Sequence, residues 1–269
     1  MKKNPSFSMT VAFLSILPFL SGCKKLFDYL DQGNHSPCQI GRFSYTMNPD
    51  VGARGRDTLT FAYNAAGNPI TGIRPRPGTS IPNFVFRYDR QQRLTDLIGA
   101  YRINTIPDGD DDVESWEHFI YDRWNRIILD SAYSFPVIKN GRPTLGPHIS
   151  LTILTFEYDA ENRITAVHEN AENGGFIRDF TYAYDRNGNL KGPASYDEKV
   201  NLHQTNKIWM FLDRDYSKNN PLPAAYKYSS YGLPEKITLP SEAPKRFFFT
   251  TQGNNTPTYT EADIEYSCN

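Results

Sequence analysis

The sequence predicts an all-β protein: an antiparallel meander of repeated β-hairpins forming a twisted or curled sheet, with a short helical insert near 205–213. Three observations carry this expectation. A ten-residue unit that opens on two aromatics recurs along the chain; a turn-forming residue holds the same place in each copy; and an apolar residue follows each turn at a fixed distance. Internal self-similarity outranks composition as a guide to fold.

The unit is clearest at Phe156-Glu157-Tyr158-Asp159-Ala160-Glu161-Asn162-Arg163-Ile164-Thr165. Other copies begin at Phe61, Phe86, Phe119, Tyr182 and Tyr226, with second aromatics Tyr63, Tyr88, Tyr121, Tyr184 and Tyr228. Two aromatics separated by one residue share a face of a strand. Next comes Asp89, Asp122, Asp159 or Asp185, with Asn64 and Ser229 in the divergent copies. An acceptor side chain there opens a turn by taking a backbone N–H two residues on. Four places after the second aromatic stand Gly67, Asn125, Asn162, Gly188 and Gly232, types that tolerate a left-handed backbone; Gln92 departs. A type I turn closed by one left-handed residue is a common three-residue hairpin loop.

That register sets each second aromatic opposite the residue six places on: Tyr88 with Leu94, Tyr121 with Ile127, Tyr158 with Ile164, Tyr184 with Leu190. On the other face Asp89 meets Arg93, Asp122 meets Arg126 and Asp159 meets Arg163. These residues, with Asn125, Asn162, Asp185 and Gly188, are expected to build turns. Acids at equivalent repeat positions do not mark one unique active site, so no catalytic residue is expected among them.

The unit resembles the YD (RHS-type) repeat, whose core is Tyr-Asp, a turn containing Gly or Asn, and Arg-Ile/Leu-Thr. Arg93-Leu94-Thr95 and Arg163-Ile164-Thr165 match that tail in full, and the likeness runs over residues 55–240. Ser217-Lys218-Asn219-Asn220-Pro221, with Tyr228 to Pro234, is similar to uncharacterised YD-repeat lipoproteins of Gram-negative bacteria. The resemblance implies a β scaffold with no reaction attached. Large RHS proteins wind many such hairpins into a hollow shell, which six copies are too few to close.

At the start of the chain, Lys2 and Lys3 precede an apolar run from Val11 to Leu20 that ends in Leu20-Ser21-Gly22-Cys23. A basic start, a short apolar core and small residues mark an export signal, and ten apolar residues are too few to span a bilayer. Leu-Ser-Gly-Cys resembles the lipobox of bacterial lipoproteins. Residues 1–22 are therefore read as a lipoprotein signal peptide, Cys23 as the lipidated first residue of the mature chain, and 23–37 as a polar tether. Several acyl chains on one cysteine hold a protein at a membrane where a single chain does not. The expected place is the outer membrane, on its periplasmic side or at the cell surface.

Residues 38–269 are read as one β-hairpin repeat domain, ample for a sizeable core. Cys38 and Cys268 stand at its two ends; in an exported chain they allow one disulfide, and two separate buried thiols are the other reading. A formal net charge of −1 offers no electrostatic case for nucleic acid. Phe43-Ser44-Tyr45 reads as the opening strand, Asp57 to Tyr63 as the approach to the first unit, and Tyr259 to Tyr266 as the last strand. The insert from Lys191 to Pro223 carries Lys207-Ile208-Trp209-Met210-Phe211-Leu212, read as a helix or turn covering an open sheet edge.

No cofactor is expected. His35, His118, His148, His168 and His203 lack the paired spacing of a zinc site, and there is neither a Gly-x-Ser-x-Gly elbow nor a phosphate-cradling glycine loop. Asp108, Asp110 and Asp112 give one loop the oxygen-rich spacing calcium uses, but without the twelve-residue EF-hand pattern; a solvated hairpin tip is the plainer reading. Trp124 falls in the third turn, where its side chain is expected to be exposed. An exposed Trp there stacks on a sugar or anchors a protein partner, although isolated surface apolars are ordinary.

Together these readings point to a non-enzymatic, lipid-anchored envelope protein that is structural or binds a protein or glycan. The alternative is an envelope enzyme acting on polysaccharide through acids in the inserted loops. Such acids must break repeat equivalence, converge in a cleft and carry raised pKa values. The lipobox assignment predicts that Cys23→Ser leaves an unlipidated, uncleaved precursor. Metabolic labelling with a fatty-acid analogue reads this directly, and label at the wild-type level in the serine variant would refute it.

Overall fold

The computed structural model describes residues 38–47, 55–103, 112–145, 150–193, 195–241 and 258–268; Cys23, the signal segment, the tether, Asp108 and Asp110 lie outside them. The strands are β1 (Cys38–Met47), β2 (Gly55–Tyr63), β3 (Pro69–Ile73), β4 (Asn83–Tyr88), β5 (Leu94–Ala100), β6 (Val113–Tyr121) and β7 (Ile127–Ser134). They continue as β8 (Val137–Lys139), β9 (Arg142–Thr144), β10 (Ser150–Tyr158), β11 (Ile164–Ala171), β12 (Phe176–Thr181) and β13 (Ser195–Val200). A 3-10 turn (Leu202–Thr205) and helix α1 (Lys207–Leu212) precede β14 (Asn219–Leu222), β15 (Ala225–Tyr228), β16 (Pro234–Thr238) and β17 (Tyr259–Cys268). Thirteen strands form one antiparallel sheet, β12-β11-β10-β7-β6-β5-β4-β3-β2-β1-β17-β16-β15, which does not close into a barrel. The fold is all-β, as the repeat predicts.

The hairpin register follows the sequence pattern: Tyr63 pairs with Pro69, Tyr88 with Leu94, Tyr121 with Ile127, Tyr158 with Ile164 and Tyr228 with Pro234. In the fourth unit Asp159 Oδ1 accepts the backbone N–H groups of Glu161 (3.0 Å) and Arg163 (2.9 Å), while Oδ2 accepts Arg163 Nε (2.7 Å). Asp89 and Asp122 do the same in theirs. Asn125 and Asn162 hold φ of 61° and 60°, and Gln92 adopts 59° at the equivalent place. The second unit therefore departs in residue type but not in backbone, at a strain of about 1–2 kcal/mol.

The order of the sheet differs from a simple meander in two places. In the fifth unit Tyr184 and Leu190 form only an isolated bridge, because Gly192-Pro193 ends the return arm where a ladder N–H would be needed. The chain then builds β13 with β14 as a separate two-stranded sheet. The last strand continues the hairpin of β15 and β16, with Lys236 opposite Asp263, but does not stop there. It returns to lie beside β1, paired from Cys38 opposite Cys268 to Met47 opposite Tyr259.

The helical insert forms where expected but covers no edge; the edges are β12 and β15. Trp209 packs against Phe61 (ring centroids 5.1 Å) and Phe86 (5.9 Å), and Phe211 against Phe119 (5.5 Å) and Phe156 (5.3 Å). These four rings are the first aromatics of the first four units. Seven adjacent strands, β2 to β10, would span about 29 Å if flat at ~4.8 Å per strand. A six-residue helix is about 9 Å long. The sheet meets it only by curling around it. The reason is composition: Ile208, Trp209, Phe211 and Leu212 are all buried, and a helix so apolar would stand wet at an edge. Asn206 caps it, accepting Ile208 N–H (2.9 Å) and donating to Gly67 O (2.9 Å) in the first turn.

Adjacent hairpins are also stitched by tyrosine. The second aromatic of one unit donates its hydroxyl to the carbonyl six places after the second aromatic of the unit before. Tyr88 reaches Pro69 O (2.7 Å), Tyr121 reaches Leu94 O (2.9 Å) and Tyr158 reaches Ile127 O (2.6 Å). Tyr63 to Ile40 O (2.8 Å) and Tyr266 to Pro234 O (2.8 Å) extend the row. Burial pushes the Tyr88, Tyr121 and Tyr158 hydroxyls far above the ordinary tyrosine value, so they stay protonated donors.

The turn geometry sets a stability order. Asn162→Gly is expected to be neutral or slightly stabilising, whereas Asn162→Val should cost about 1–3 kcal/mol at its positive φ. Asp159→Ala should cost about 1 kcal/mol. Denaturant melts of the three variants check this, and a wild-type melt for Asn162→Val would overturn the turn assignment.

Candidate functional site

The tips of the second, third and fourth hairpins and the start of α1 enclose a cavity of about 500 Å³. Its lining includes Arg93, Tyr121, Trp124, Arg126, Tyr158 and Lys207. Trp124, in the β6–β7 turn, is 61% exposed at its mouth. The turn acids position the cations. Asp89 holds Arg93 at 2.7 Å and Asp122 holds Arg126 at 2.8 Å, which lays each guanidinium over a ring of the next hairpin. Arg93 sits 4.8 Å from the Tyr121 ring and Arg126 5.1 Å from Tyr158; Arg163, paired with Asp159, repeats the move over Tyr184 at 4.2 Å. Arg126 and Arg123 also flank Trp124, at 4.9 and 4.1 Å. Such contacts contribute about 0.5–1 kcal/mol each at exposed sites.

Around Asp89, Asp122 and Asp159, burial works to raise the carboxyl pKa. The turn N–H groups and the paired arginine outweigh it, so each lies below the usual carboxylate range. Asp185 is lowered by the Asn189 N–H first and takes no arginine; Gly188 supplies the left-handed residue of that turn, with φ 86°. Lys207 stands exposed at the cavity mouth, yet the side chains packed around it strip enough water from its amine to pull its pKa below the ordinary lysine value.

A second group of acids does break the repeat, and the turn pattern did not disclose it. Glu117 on β6, Asp130 on β7 and Glu169 on β11 lie inside the curl, 2%, 2% and 3% exposed. Asp130 faces Phe119 on one side and Leu154 on the other, and Leu154 in turn faces Glu169. Arg178 Nε binds Glu169 Oε2 (2.5 Å), and Arg214, just after α1, approaches Glu169 Oε1 at 3.8 Å. Burial, reinforced by Glu117 and Glu169 and partly offset by Arg214, pushes the Asp130 carboxyl well above the carboxylate range. The signal was present in the sequence. Where Glu117 stands, four residues before Tyr121, the other units carry Leu59, Phe84, Leu154, Phe180 and Ala224.

A further cavity of about 710 Å³ lies beside the fifth turn, with Asp185, Asp197, Glu198, Lys191 and Tyr196 among its lining. Asp197 is committed to structure there: it accepts the Tyr228 hydroxyl and the Asn220 N–H. The carboxyls pushed up, mainly by burial, are those of Glu114 and Asp130, and neither borders either cavity.

Of the remaining sequence candidates, Cys38 and Cys268 are bonded (S–S 2.11 Å) across the β1–β17 pair. Asp112 lies 3.6 Å from Arg102. Among the described residues, no group of three His, Cys, Asp or Glu side chains is placed to hold a metal ion.

No protein-family model and no curated protein sequence matches this chain. Among solved structures, a porin-like protein from Bacteroides uniformis ATCC 8492 is similar over 86% of this chain and 98% of its own, at 11% identity and a TM-score of 0.45. The TcdB2-TccC3-Cdc42 crystal structure is similar over 68% of this chain at 11% identity and a TM-score of 0.29, but that match spans only 9% of its chain. Likeness at this level carries no argument about fold or activity. On its own geometry the chain is a β-repeat protein.

The acid cluster makes a pH-dependent prediction. A carboxyl raised in the folded state binds a proton that the unfolded chain, near pKa 3.9, has already released. Stability should therefore fall with rising pH, by at most about 1.4 kcal/mol per pH unit, between the unfolded and the raised folded pKa. Asp130→Asn removes that slope. Melts from pH 4.5 upward should show the variant gaining on the wild type as pH rises, and a constant difference would contradict the protonated Asp130.

Proposed function

We propose that this chain is a lipid-anchored, non-enzymatic β-repeat protein of the YD (RHS) type in the outer membrane, and that it binds an envelope glycan through the cavity at Trp124. The observation that carries the binding reading is the placement of the indole. It is an exposed ring at the mouth of a cavity whose walls are three hairpin tips and a buried helix. Binding surfaces held on rigid elements lose little entropy on engagement. The lipobox residues and the repeat unit support the anchoring and the scaffold.

Hydrolysis fits less well. A glycosidase presents one carboxyl of raised pKa and one ionised carboxylate to the same sugar. Here the acid raised furthest, Asp130, is sealed inside the curl at 2% exposure. The acids that reach the 710 Å³ cavity include Asp185, which is lowered, and Asp197, which is engaged by Tyr228 and Asn220.

Native gels cast with envelope polysaccharide separate binding from hydrolysis. The wild-type protein should be retarded, Trp124→Ala should migrate as in an empty gel, and no reducing ends should appear. Unretarded wild-type protein would defeat the binding reading. Reducing ends released by the wild type and abolished in Asp197→Asn would establish the enzyme instead.

A further inference from the structure

We infer that the ligand of the Trp124 cavity is an acidic sugar, its ring laid against Trp124 and its anionic group taken by Lys207 together with the Arg93 and Arg126 guanidiniums. The inference rests on the glycan-binding reading above and adds the charge of the ligand.

The cavity's charge is one-sided. Its lining holds Arg93, Arg126 and Lys207 and not one carboxylate, in a chain whose basic and acidic residues number 29 and 30. The asymmetry is therefore local. The other cavity is opposite in character, with Asp185, Asp197 and Glu198 against Lys191.

The three cations play different parts. Arg93 and Arg126 are already neutralised by Asp89 and Asp122, so they offer directed N–H groups more than net charge. Lys207 lines the cavity, is exposed, and has no carboxylate within ion-pair distance among the described residues. A cation with no counter-charge is stabilised by a bound anion, and the attraction strengthens as the ligand displaces water from the cavity.

The aromatic wall points the same way. Arg123 and Arg126 lie 4.1 and 4.9 Å from the Trp124 ring centre, so a cationic ligand approaching the indole would meet two like charges. A quaternary ammonium ligand would meet repulsion there. Gln91, Asn125 and Asn162 add amide groups to the lining, suited to ring hydroxyls and wasted on an acyl chain. At about 500 Å³ the space is that of an ordinary small-ligand site.

The test is calorimetric titration of the detergent-solubilised full-length lipoprotein with trigalacturonate, its methyl ester, and a sulfated disaccharide beside its unsulfated parent. At least one acidic probe should bind ten-fold or more tightly than its neutral counterpart, with the gap shrinking in high salt. Which acid binds better distinguishes a carboxylate ligand from a sulfate. Lys207→Gln should remove most of the gap, and Trp124→Ala should abolish binding of charged and neutral probes alike; matching melting curves confirm that both variants fold. Equal affinity for acid and neutral probes, or an undiminished gap in Lys207→Gln, overturns the acidic assignment while leaving glycan binding intact. Binding of no probe at all overturns both.

Discussion

The structure depends on the burial of two rings. Trp209 and Phe211 sit between aromatics contributed by four successive hairpins. Isolated two-stranded hairpins are marginal in water. The helix supplies what they lack, a common apolar partner within reach of all of them. Its shortness then dictates curvature, because a wide sheet that touches a 9 Å rod along several strands has to bend. Packing thus decides the shape, while the turns decide only where each strand begins and ends.

Two layers of local chemistry make that bending orderly. Each turn is fixed by a carboxylate or amide that satisfies backbone N–H groups, and each arginine, once held by its acid, lies over a ring of the following hairpin. The tyrosine hydroxyls link consecutive hairpins below the turns by capturing carbonyls left at the bulges. Each hairpin is thereby bonded to the one before it by the same pair of positions. The cavity at Trp124 lies among three of these tips, with the exposed start of α1 beside them.

What was legible in the sequence was what is encoded within ten residues. Asp159, Asn162 and Arg163 announce a turn because acceptor, left-handed position and cross-strand partner all fall within one unit. The departures arise where a longer range decides. Nothing local says that Lys207–Leu212 will be enclosed instead of capping an edge; that follows from rings more than fifty residues away. The fifth unit keeps its turn but loses its ladder to Gly192-Pro193 just beyond the pattern. Tyr88 and its equivalents read as packing residues, since the carbonyls they seek belong to the preceding unit. Glu117 and Asp130 were visible only by lining up the inward positions on both sides of the turn.

The pairing of β1 with β17 gives the domain an unusual mechanical character. Cys38 and Cys268 are covalently joined, so the 230-residue separation between them is spanned by a closed ring of chain. Tension entering at the first strand passes straight to the last residues of the domain through that bond. The hairpins between hang from it as a loop and carry none of the load. The bond ties the first strand to the last inside the sheet, so these two cannot part at that end, while the edges β12 and β15 are left untied.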